Sequence, residues 1–88
     1  MKKVKVNTGY DKDSIPSTAK AVAILTSLAA PHGISVERVT YSGGQYHATV
    51  VVPSREALKA YLIAMEVDQG AWGSNDEDVE EYLDDLGF

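Results

Sequence analysis

Three absences narrow the reading of this chain of 88 residues. It has no cysteine, which excludes disulfide staples, thiol catalysis and cysteine-based zinc sites, and makes an intracellular, cytoplasmic protein the expectation. It has no long apolar run. The longest, around Ala19 to Ala30, is broken by Lys20, Thr26 and Ser27 and is too short to span a bilayer. Met1-Lys2-Lys3 is followed by the polar stretch from Asn7 to Ser14, where a signal peptide would place its apolar segment, so no cleaved leader and no membrane partner are expected. The third absence is the most informative: from Glu66 to Phe88 there is no Lys or Arg. That stretch holds nine carboxylates, whereas the other four acids and all eight basic residues precede it. The modest net charge of −5 therefore conceals parts carrying +4 and −9. Segregation of this kind favours a charge-driven partner over a catalytic pocket.

What is present fits a single domain over 1–88. With 44% hydrophobic and 24% charged residues the composition is that of ordinary globular protein. A chain this short buries only about 60–65% of the surface its unfolded form exposes, leaving no room for a second core. Lys3-Val4-Lys5-Val6 alternates as a short strand with the valines facing inward. Asp13 and Ser14 offer a helix cap, Pro16 suits the first turn, and Ile15, Ala19, Val22, Ile24, Leu25 and Leu28 supply a long apolar helix closed by Pro31 and Gly33. Its apolar residues exceed one stripe, which raises burial or a homodimer through this helix as alternatives. Two β-rich segments, Ile34 to Tyr41 and Gln45 to Val52, are joined by Ser42-Gly43-Gly44, a hairpin pattern. Tyr46, Ala48, Val50 and Val52 share one face, and the alternation of the preceding strand slips at Glu37-Arg38, where a bulge is expected.

Ser54 caps a second helix whose Leu58, Tyr61, Leu62 and Met65 fall on one side. The body ends near residue 68. A Gly/Trp joint over 69–74 contains Trp72, and Ser74 with Glu77 matches a capping box opening a third helix over 75–88. Val79, Tyr82, Leu83 and Leu86 form its apolar stripe. The resulting order β-α-β-β-α-α is an α+β fold that resembles the ferredoxin-like pattern over residues 3–67. The resemblance implies a three-stranded mixed sheet with the first strand beside the third and helices on one face. An acidic helix replaces the fourth strand.

No catalytic, metal or cofactor constellation is visible, and an enzyme is not expected. Ser42-Gly43-Gly44 lacks the lysine and spacing of a phosphate loop. His32 and His47 have no neighbouring ligand at metal spacing. Asp76 and Asp78 lack the glycine and twelfth-position glutamate of a calcium loop. What remains is the acidic helix. Glu77–Glu81, Glu80–Asp84 and Glu81–Asp85 are like-charge pairs at i, i+4, each costing ~0.2–0.5 kcal/mol, and a helix selected for stability alone would carry some lysines. Carboxylates on a rigid helix can imitate a row of phosphates. In size and charge the chain looks like small acidic inhibitors of nucleic-acid enzymes, including phage anti-CRISPR and anti-restriction proteins and bacterial immunity proteins. The resemblance implies a protein-binding inhibitor or adaptor engaging a basic surface. Asp76, Glu77, Asp78, Glu80, Glu81, Asp84 and Asp85 would make ionic contacts, and Trp72, Tyr82 or Phe88 would anchor. The alternative for Trp72 is a plug between the second and third helices.

Asp84-Asp85-Leu86-Gly87-Phe88 also resembles the acidic tip of bacterial single-stranded-DNA-binding proteins, with Gly87 where that family has proline. That likeness implies Leu86 and Phe88 as apolar contacts in a partner's pocket. Leu-Gly-Phe likewise satisfies a loose PDZ-type ligand pattern. Both require an exposed Phe88. A nucleic-acid-binding module with this recruiting tail is the second reading. It is weakened because His47, Thr49 and Val51 give few aromatic platforms beside the scattered cations.

Overall fold

The computed structural model describes residues 1–70 and 76–88, with Asp76 and Glu77 described in backbone only. The elements run β1 (Lys2–Asn7), α1 (Thr18–Ala29), a 3-10 turn (Ala30–His32), β2 (Ser35–Ser42), β3 (Gln45–Val52), α2 (Arg55–Asp68) and α3 (Asp76–Asp85). The fold is α+β. Its sheet order is β1-β3-β2, and both pairings are antiparallel, which corrects the expectation of a mixed sheet. The reason is topological: α1 carries the chain across to β2 one position away from β1, and the hairpin returns β3 into the gap. β1 and β2 are therefore parallel but never adjacent.

Ser42 pairs with Gln45 around a two-residue turn in which Gly43 and Gly44 have φ of 60° and 83°. Such a turn needs positive φ at both central positions, where a side chain is strained. The register shifts between Val36 and Arg38. This is the bulge expected from the broken alternation, and it lets Val36 and Val39 both face the helices, opposite Val50 and Ala48.

One face of the sheet supplies Val4, Val6, Tyr46, Ala48, Val50 and Val52 to the core, and the helices pack against it with Ala21, Leu25 and Ala29 of α1 and Leu58, Tyr61, Leu62 and Met65 of α2. The helix cap of α1 is Ser17, whose Oγ accepts from Lys20 N, not Asp13 or Ser14. Those residues close a separate turn: Asp11 accepts from Ser14 N at 2.9 Å through its side chain, and from Ile15 N at 2.8 Å through its carbonyl. Ile15 is thus a core residue outside the helix, only 2% exposed. Its carbonyl accepts from the Tyr46 hydroxyl at 2.9 Å, while the Tyr61 hydroxyl donates to Leu25 O at 3.0 Å. Burial raises the pKa of both phenols, that of Tyr61 to about 12.

Ser54 caps α2 as its position suggests, accepting from Ala57 N at 3.1 Å. No helix among the described residues is long and apolar enough to cross a membrane.

Candidate functional site

The apolar stripe of α3 docks on α2 and the edge of β1. Leu83 is fully buried and Val79 is 4% exposed; Tyr82, Leu86 and Phe88 are half-buried against the same core. Burying one such aliphatic side chain contributes about 1.5–3 kcal/mol. The Tyr82 hydroxyl accepts from Asn7 N at 2.8 Å, satisfying a donor on the edge of β1 away from β3. That matters because an unpaired strand edge invites another chain to pair with it.

Charge fixes the orientation of α3. The Arg55 guanidinium, at the start of α2, pairs with Glu80 and with Asp84 at 3.0 Å, and Lys59 one turn later reaches Glu80 at 3.0 Å. Hydrogen bonds from Arg55 first, then Lys59, hold the Glu80 carboxyl below its usual range, and the same carboxylates raise the Arg55 pKa. The Glu80–Asp84 repulsion read from the sequence is thus offset by a cation lying between the two. Phe88 is docked rather than extended from the body: its carbonyl accepts from Arg55 Nη1, its amide donates to Leu83 O at 3.1 Å, and Lys2 Nζ stands 4.7 Å above its ring while also donating to Gly87 O. Lys2 reaches this position because it shares the helix-side face of β1 with Val4 and Val6, whereas Lys3 and Lys5 point to the opposite side. A partner pocket that takes Phe88 must first displace these contacts.

The remaining acids form a second set. Asp78, Glu81 and Asp85 are exposed, at i, i+3 and i+7, so they share one face over a rise of about 10 Å. No cation lies within ion-pair distance of them among the described residues. Trp72 and the Ser74 end of the capping box lie outside the described residues, as do the side chains of Asp76 and Glu77.

Sequence reasoning missed the cleft beside this helix. A space of about 400 Å3 opens between the end of β1, α2 and α3, with Leu62, Met65 and Val79 on its apolar side and Glu66, Gln69 and Asp78 among its polar lining. Among the described residues no basic side chain lines it. Glu66 Oε2 is shielded from solvent and has no hydrogen-bond partner among the described residues; leaving a buried acceptor unmet costs about 1–3 kcal/mol. Gln69 Nε2 donates to Thr8 O at 2.9 Å and Met65 O at 3.2 Å, which leaves its amide oxygen as an acceptor beside Gly9. Nearby, the Tyr10 hydroxyl donates to Asp68 Oδ2 at 2.6 Å, and burial followed by this bond raises the Tyr10 pKa. The only signal in the sequence was the lack of any cation after Lys59.

On the far side of the sheet, register places Lys3, Lys5 and Asn7 of β1, His47, Thr49 and Val51 of β3, and Arg38 and Thr40 of β2 on a face that no described helix covers. No family model, curated protein or solved structure gives a significant match to the chain.

Proposed function

We propose that the protein is a small, non-enzymatic, cytoplasmic protein-binding inhibitor or adaptor whose acidic α3 engages a basic surface of a partner, including surfaces that normally hold nucleic acid. The observation that carries this reading is the division of labour on α3. Glu80 and Asp84 are consumed in docking on Arg55, while Asp78, Glu81 and Asp85 form an exposed stripe on a helix already held in place. Carboxylates fixed on a packed helix lose little entropy when they meet cations, and a like-charged row steers a basic partner. The finer fold reading, a ferredoxin-like pattern in which α3 takes the place of a fourth strand, is supported by the contact of Tyr82 with the free edge of β1.

The test reverses the stripe without touching the docking acids. Asp78→Lys, Glu81→Lys and Asp85→Lys together should abolish capture of basic proteins from a cell lysate, and duplex DNA should displace what the unaltered protein captures. Equal capture by the reversed protein would reject the reading. A second reading, a nucleic-acid-binding module, is favoured by Lys3, Lys5 and Arg38 on the uncovered sheet face. Under it, Lys3→Ala with Lys5→Ala would weaken binding of a single-stranded oligonucleotide at low salt. A homodimer through α1, whose Val22 is 42% exposed, predicts concentration-dependent sedimentation.

A further inference from the structure

The cleft between β1, α2 and α3 has two carboxylates, Glu66 and Asp78, in its lining. We propose that it is an arginine-binding site, taking one guanidinium from the basic partner of α3; this deepens the proposed function and rests on it. Four features combine. Glu66 lines the wall and carries one oxygen, Oε2, that is shielded from solvent and unmet among the described residues; the last torsion of a glutamate is soft, so its two oxygens can turn toward an arriving donor. Gln69 offers an amide oxygen whose direction is set by the two bonds its nitrogen makes. Asp78 adds a second carboxylate at the α3 side. Leu62, Met65 and Val79 provide an apolar wall for an aliphatic stem.

Anions are disfavoured by this chemistry, since carboxylates line the space and, among the described residues, no basic side chain does. Between the two cationic side chains, a guanidinium matches better. It carries five donors in a planar fork, sheds water more readily than an ammonium, and can satisfy acceptors arriving from different elements at once. An ammonium concentrates its charge at one point. The exposed stripe and the cleft meet at Asp78, so a basic segment lying along α3 would bring an arginine to the cleft without crossing a neutral gap.

The direct test uses the full chain and amide NMR. Acetyl-arginine-methylamide is titrated in, with acetyl-citrulline-methylamide as the neutral isostere and agmatine as a free guanidinium compound. The arginine probe should give saturable shifts at Asn7, Gly9, Gln45 and Gln69, and the citrulline probe none. Glu66→Gln should weaken arginine binding by roughly tenfold, equivalent to about 1.4 kcal/mol, and Asp78→Asn should weaken it less. Glu37→Gln, on the opposite face of the sheet, should leave it intact. Equal shifts with citrulline, or unchanged affinity in both Glu66→Gln and Asp78→Asn, would overturn the proposal. Binding of agmatine alone would overturn the assignment to a protein side chain. If no probe binds while reversal of the stripe still abolishes partner capture, the cleft proposal falls and the proposed function stands.

Discussion

The uncovered sheet face and α3 carry opposite charges, and they are held by different kinds of bond. On the sheet, Lys3, Lys5 and Arg38 stand on strands whose positions are fixed by backbone pairing, so the identity of an outward side chain has little bearing on whether the strand forms. On α3, position depends on side chains: Val79 and Leu83 below, Arg55 and Lys59 at the flank, Lys2 at the far end. One surface can change its charge without changing its shape. The other has acids of two kinds, and only the outward kind can vary cheaply.

The largest test of this difference is a truncation on each side. Leu83 is fully buried, so Leu83→Ala should cost about 2–5 kcal/mol in chemical denaturation. Thr49→Ala, in the middle of the uncovered face, should stay within about 1 kcal/mol. Similar losses at both sites would break the distinction.

A smaller effect should follow from removing the cation that α3 docks on. Arg55→Gln should speed amide hydrogen exchange throughout α3 and leave β1 and β3 protected. It also has a pH signature. Because Arg55 and Lys59 depress the folded pKa of Glu80, its contribution is complete above the ordinary carboxylate range and is lost as pH falls through that depressed value. In Arg55→Gln the Glu80 carboxyl should titrate closer to its usual range, so acid release of α3 should begin at higher pH. Carboxyl-carbon NMR of Glu80 reads this directly, and an unchanged titration would mean that Arg55 does not set the docking.

Much of the fold was legible because it rests on local rules. Gly43-Gly44 marks a turn that needs positive φ, Tyr46 to Val52 alternate toward one face, and the slip at Glu37-Arg38 is a bulge. Ser54 caps α2. What was not legible depends on distant partners. The cap of α1 fell on Ser17 because Asp11 ties Ser14 and Ile15 into their own turn, and the buried Tyr10 donates a hydrogen bond from its hydroxyl to Asp68, 58 positions on. The acids of α3 could be counted in the sequence, but their separation into docked and outward sets needed Arg55 and Lys59 to be placed. The likeness of the last five residues to a recruiting tip requires an exposed Phe88, and those five residues carry no information about Lys2 and Arg55, which contact it. The cleft was invisible for the same reason, since Asn7, Glu66 and Asp78 meet only after β1, α2 and α3 have packed.

The smallest effect belongs to an ion pair on the uncovered face. Lys3 Nζ and Glu37 lie 2.7 Å apart with both side chains substantially exposed, and pairs of this kind contribute ~0–1 kcal/mol. Glu37 follows the inward-facing Val36, so alternation points it outward, where it reaches Lys3 across β3 from within the bulge. Exchanging the two, Lys3→Glu with Glu37→Lys, keeps the net charge and the pair while reversing its direction. Stability should change by less than about 0.5 kcal/mol, and the difference should vanish at ~1 M salt, where the screening length falls to about 3 Å. A larger loss that persists in salt would mean that the pair pins the bulge, and so the register of β2. The uncovered face would then be held, like α3, by its charges.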